Sequence, residues 1–179
     1  MIDRTMRALL TVLLLTGLAT TYAHNHIELV QRTHPLDGYN QGYIHIPGIP
    51  LPGWGADDLQ PGLQWSCIGD TDFDLHVWLD ATEAISSNEY TSLRYRFDKN
   101  NVSGIRDWEM RGRYRAYAGS ELWPSREKIK FTKTAIDNKT TVLFEILAEL
   151  KGAYLYVEFD LTGLKNKIEQ LSCVGLTYD

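Results

Sequence analysis

The chain has 179 residues, with 18 lysines and arginines against 23 aspartates and glutamates, and a net charge of −5. That length suits one domain and is too short for an eight-fold β/α barrel. Hydrophobic residues at 44% exclude wholesale disorder. The acidic balance argues against nucleic-acid binding, which needs a surplus of cations to neutralise phosphates.

Residues 1–23 read as a signal peptide. Asp3, Arg4 and Arg7 form a short, net-positive start, and Ala8 to Leu18 is an apolar run. Thr21-Tyr22-Ala23 supplies small residues at the −3 and −1 positions of a cleavage site. An apolar run of that length falls short of the roughly 20 residues a membrane span needs, so no stable span is expected after cleavage. Cleavage after Ala23 would shorten the 179-residue chain to 156 and leave both cysteines, Cys67 and Cys173, in the exported portion. Oxidising conditions there favour a disulfide between them, the alternative being two buried thiols.

Residues 24–62 read as an irregular lead. Four of the six prolines lie between Pro35 and Pro52, with glycines at 38, 42, 48, 53, 55 and 62. Only Ile27–Val30 and Tyr43–Ile46 have the pattern of short strands, and Pro47 to Gly55 is expected to be a loop. Trp54 sits inside it, as a ligand-stacking residue or as an aromatic tucked onto the core.

From Leu63 to Asp179 the chain reads as a β-rich core. Leu63 to Cys67 alternates. Phe73, Leu75, Val77 and Leu79 share one face of a strand, and Asp74, His76 and Trp78 the other. Leu93, Tyr95 and Phe97 oppose Ser92, Arg94 and Arg96. The run from Trp108 to Ala118 sets Trp108, Met110 and Tyr114 against Glu109, Arg111, Arg113 and Arg115. Asn100 to Gly104 supplies the turn between these last two runs. A helix is expected after Trp123-Pro124, with Ser125 as its cap and Ile129, Thr132 and Ile136 inward. Strands Thr141–Ala148 and Ala153–Asp160 follow, joined at Lys151-Gly152, and a short helix carries Leu164, Ile168 and Leu171 inward before Cys173. The fold class is therefore mainly β (α+β). It is a small antiparallel sheet or sandwich with one or two helices, stapled by a disulfide.

The stretch from Leu63 to Cys173 resembles the VasI-like periplasmic accessory proteins of bacterial type VI secretion. The resemblance rests on Leu63–Cys67, on Leu93-Arg94-Tyr95-Arg96-Phe97-Asp98 followed by Asp107-Trp108-Glu109, and on Val157 to Leu164 ending at Cys173. It implies a non-enzymatic periplasmic accessory role and no catalytic residues. The lead does not share it.

Chemical motifs are sparse. Asp70, Asp72 and Asp74 alternate as a calcium loop begins, but Leu75 and Ala81 stand where such a loop needs glycine and glutamate. No metalloprotease, nucleophile-elbow or phosphate-loop pattern is present. No catalytic residue is assigned. If their strands pair, Arg94, Arg96, Arg111, Arg113 and Arg115 would form a basic stripe on one sheet face. Arginine forks grip carboxylates bidentately, so the stripe, with Trp54, would dock another exported protein. The alternative is a solvated face with local ion pairs. A second reading concerns copper. Cleavage after Ala23 would expose His24-Asn25-His26, and an N-terminal amine with nearby imidazoles suits Cu(II), with His34, His45 or His76 as further ligands. The first reading needs no cofactor.

Overall fold

The computed structural model describes residues 27–33, 35–38, 40–52, 59–68, 73–80, 85–111, 119–123, 127–137 and 139–171. Its nine strands are β1 Glu28–Thr33, β2 Asn40–Pro50, β3 Gln60–Ile68, β4 Phe73–Asp80, β5 Tyr90–Phe97, β6 Arg106–Arg111, β7 Gly119–Trp123, β8 Thr141–Ala148 and β9 Ala153–Asp160. Two short helices accompany them, α1 Lys128–Ile136 and α2 Leu164–Ile168. Among the described residues all strands join one antiparallel sheet, in the order β1-β2-β3-β4-β7-β6-β5-β8-β9. The sheet then curls until β9 meets β2, through Gly48↔Phe159, Ile49↔Glu158 and Pro50↔Val157. The result is a barrel-like curl rather than two stacked sheets, which decides between the alternatives left open by the sequence.

Alternation fills the inside of the curl. Ile44 and Ile46, Leu63 and Trp65, Leu75, Val77 and Leu79, Val142, Phe144 and Ile146, and Leu155, Val157 and Phe159 are all buried, while their chain neighbours face outward. The seam depends on Gly48. A Cβ there would lie 2.6 Å from Phe159 Cε1 and 2.8 Å from Val157 Cγ1. Only a residue without a side chain lets both fill the interior where the sheet meets itself.

Helix α1 plugs the curl. Its Phe131 ring lies among Trp65, Tyr95, Phe97, Trp108 and Phe144, with ring centres 5.0–6.4 Å away. Such tilted and edge-on pairs suit the ring quadrupoles. The Trp65 indole donates to Thr132 Oγ1 at 2.9 Å, satisfying a polar pair inside the core. These anchors turn the helix so that Phe131, Thr132, Ala135 and Ile136 are buried. Ile129, expected inward, is instead 52% exposed. The expected cap Ser125 lies outside the described residues. Glu127 occupies the cap position without a side-chain cap hydrogen bond, and its carboxylate meets Arg106 Nε at 2.6 Å.

Helix α2 closes another part of the interior with Leu164 and Ile168, followed by Leu171. A Cβ on Gly42 would lie 2.8 Å from Leu171 Cδ2. Gly42 is the register partner of Cys67, which is buried and carries no free thiol.

Within the expected irregular lead, Glu28–Thr33 and Asn40–Pro50 are strands of the sheet, and the expected loop from Pro47 is a correction: strand β2 runs on to Pro50. The prolines stand where β2 changes partners. Its pairing with β3 ends at Pro47 and its pairing with β9 spans Gly48–Pro50. Strands β8 and β9 keep the expected bounds, joined by a 3₁₀ turn at Glu149–Lys151 and the left-handed Gly152. The expected long strand from Trp108 ends at Arg111, followed by residues outside the description and then β7.

Candidate functional site

The outward face of β6, β5, β8 and β9 is a ladder of cross-strand rows. In one row Arg94 stands opposite Glu145, which stands opposite Tyr156. Arg94 grips Glu145 bidentately, Nε to Oε1 at 2.5 Å and Nη2 to Oε2 at 2.9 Å. Tyr156 donates its hydroxyl to Glu145 Oε2 at 2.7 Å. In the next row Ser92 donates to Asp107 Oδ1 at 2.7 Å, and Leu147 stands opposite Tyr154.

Between the rows lies a shallow cleft of about 150 Å³ lined by Ser92, Arg94, Ile105, Glu145, Leu147 and Tyr154. Its rim is open to solvent: Ile105 is 73% exposed and Tyr154 49%, and Tyr90, two residues before Ser92 on the same face, is 52% exposed. Tyrosine and arginine are among the side chains that dominate binding energy at protein interfaces.

The charges are pre-paired. The Arg94 fork holds the Glu145 carboxyl below its usual range, and the Tyr156 hydroxyl adds to the effect against desolvation. Hydrogen bonding to Glu145 raises the Tyr156 phenol above its ordinary value and likewise raises the Arg94 guanidinium. A carboxylate held ionised in this way has no proton to donate near neutral pH and is a weak base. The fork and the hydroxyl together orient the Glu145 carboxylate.

The register does not bring Arg94 and Arg96 of the expected basic stripe beside Arg111. Strand β6 pairs with β5 only from Tyr90↔Glu109 to Leu93↔Arg106. Arg94 and Arg96 lie beyond that pairing and face β8, opposite Glu145 and Leu143. Arg111 lies past the other end, opposite Glu121 of β7. At about 3.3 Å per residue, the antiparallel register sets Arg111 on the order of 20 Å along the sheet from Arg94. The carboxylates Asp107, Glu109, Glu145 and Glu158 occupy the neighbouring outward positions, so this part of the face is not basic. Arg113, Arg115 and Trp54 lie outside the described residues.

The metal candidates His24, His26 and His34 also lie outside them. His45 and His76 flank Gln64 in one outward row across β2, β3 and β4. The His45 ring covers Gly62, where a Cβ would lie 2.3 Å from its Cε1, and tilts against Trp78 with ring centres 5.6 Å apart. Burial lowers its pKa, with Glu28 across the strand opposing the shift. Among the described residues no group of three or more histidine, cysteine or acidic side chains is placed to hold a metal ion.

No protein-family model, curated protein or solved structure matches the chain.

The rim residues Ile105, Tyr154 and Tyr90, and the partner Glu145, were not singled out from the sequence. The alternation of Ala153–Asp160 does place Tyr154 and Tyr156 opposite the buried Leu155, Val157 and Phe159. Two tyrosines on an outward face were the available signal. Which arginine they would meet depends on register, which no local pattern encodes.

Proposed function

We propose that the protein is an exported, non-enzymatic binding module that works, in the periplasm or outside the cell, by contacting another exported protein. Contact is made through the outward face of β6, β5, β8 and β9. One observation carries the reading: exposed Tyr154 and Ile105 border a cleft whose floor is the Arg94–Glu145 pair. Large apolar side chains left in water beside a pre-oriented polar pair gain on burial by a partner, and the pair costs little further ordering. The charge-then-apolar N-terminus supports export. So does the state of Cys67, which we propose is bridged to Cys173. Leu171, two residues before Cys173, packs on Gly42, the register partner of Cys67.

A photo-crosslinking residue placed at Tyr154 or Ile105 in the full chain, expressed in its own cells, tests the face. One adduct of defined mass is expected from both positions and not from Leu36, which is 88% exposed on the β1–β2 turn. Combined Tyr154→Ala and Ile105→Ser should abolish co-purification of that partner without lowering the thermal midpoint. Equal labelling from Leu36, or a partner retained by the double variant, overturns the reading.

A further inference from the structure

Arg32 differs from Arg94 and Arg106. Arg94 and Arg106 are each tied to a glutamate, whereas the Arg32 side chain, exposed on β1, has no ion pair or hydrogen bond among the described residues. Two clefts share it. One, of about 220 Å³, is polar and lined by Gln31, Thr33, Asn40 and Gln41 beside Arg32. The other, of about 210 Å³, continues across β1, β2 and β3 and is walled by Val30, Gly42, Tyr43 and Cys67. The register explains the join. Arg32 stands opposite Gln41, and Val30 stands opposite Tyr43, which stands opposite Ser66. The Arg32 guanidinium, with Gln41 opposite it on the same face, therefore lies next to an apolar floor.

We propose that this double cleft binds a carboxylate carried on an aliphatic stem, the carboxylate on Arg32 and the stem along Val30 and Tyr43. A planar fork of donors matches a carboxylate bidentately. Gln41 stands opposite it on the same face, and the apolar wall gives the stem a place out of water. A single negative charge fits better than a double one. The chain is acidic overall, and Glu28 and Asp74 occupy outward positions on β1 and β4 of the same sheet face. The stem could belong to the last residue of a peptide or to a free aliphatic acid. Both present the same chemistry to Arg32. The site lies on strands apart from the Tyr154 face and does not depend on it.

Calorimetric titration of the full mature protein at low salt separates the cases. The probes are acetyl-glycyl-leucine with a free carboxylate, the same peptide as its amide, sodium octanoate and inorganic phosphate. The free carboxylate should bind and the amide should bind at least about tenfold more weakly, the cost of losing a charge-assisted bidentate pair. Arg32→Gln should weaken the carboxylate by a similar factor with an unchanged thermal midpoint, since the side chain is exposed. Arg32→Lys should fall between, keeping charge but not the fork. Preference for the peptide over octanoate assigns the stem to a chain end, and the converse assigns it to a free acid. Either result supports the site. Equal binding of acid and amide, tighter binding of phosphate, no heat up to about 10 mM of any carboxylate, or indifference to Arg32→Gln overturns it.

Discussion

Replacing Gly48 by alanine tests whether the sheet closes on itself as described. The new methyl would lie 2.6 Å from Phe159 Cε1, 2.8 Å from Val157 Cγ1 and 3.0 Å from Phe159 Cζ. Carbon atoms rest at about 3.5–4.0 Å, so the overlap is close to 1 Å against two side chains. Neither can step aside. Both are fully buried, and the Phe159 ring stands edge-on to Phe144 with centres 5.7 Å apart. Overpacking of this kind costs about 1–3 kcal/mol. Alanine returns roughly 0.5–1 kcal/mol by restricting the unfolded chain relative to glycine. A net loss of about 1–2 kcal/mol remains. Urea unfolding followed by the fluorescence of the buried Trp65 and Trp108 should show a midpoint lowered by about 0.5–1 M for a slope near 2 kcal/mol/M. Phe159→Leu withdraws the ring tip, so the double variant should lose less than the two single losses added, with a coupling of about 1 kcal/mol. A neutral or stabilising Gly48→Ala with no coupling to Phe159→Leu would refute the packed seam.

Four further outcomes concern the same interior and its outer face. Phe131→Ala should cost about 3–5 kcal/mol and remove much of the near-ultraviolet circular dichroism, because five aromatic rings lose their common neighbour. The His45 pKa is lowered by burial, so the unfolded chain takes up a proton near pH 6.5 that the folded one refuses until lower pH. Stability should therefore fall as pH drops below about 6.5, and the slope should flatten in His45→Gln, measured by unfolding at each pH. Gly62→Ala should displace the His45 ring into solvent and bring its titration, followed by NMR, back up toward 6.5. Reducing the proposed Cys67–Cys173 bridge should cost about 4–5 kcal/mol for a loop of over a hundred residues, read as a lower thermal midpoint in reductant. An unchanged midpoint would rule the bridge out.

Strong alternation made much of this fold legible in the sequence. Thr141–Ala148 and Ala153–Asp160 have one side chain in two buried without interruption, and their bounds could be read directly. The second strand was hidden by Pro47 and Pro50, which signal a break wherever a strand must donate along its whole length. Here they mark a change of partner instead. The first helix could be placed but its facing could not. Ile129 and Phe131 are both apolar, and only five rings on four strands choose between them. Two arginines of the expected stripe, Arg94 and Arg111, stand apart for the same kind of reason. Sequence gives the side of the sheet on which Arg94 and Arg111 fall, but the offset between strands decides whether they are neighbours.

The seam also sets when the fold can be finished. Gly48 must meet Phe159, over a hundred residues later in the chain. Until the last strand has emerged, the second strand lacks the neighbour that shuts the curl. Pairings of such sequence separation are slow, because the loop entropy is spent before the contact returns it. A chain arranged this way stays open while it is still being made, and the curl locks only once Phe159 has arrived.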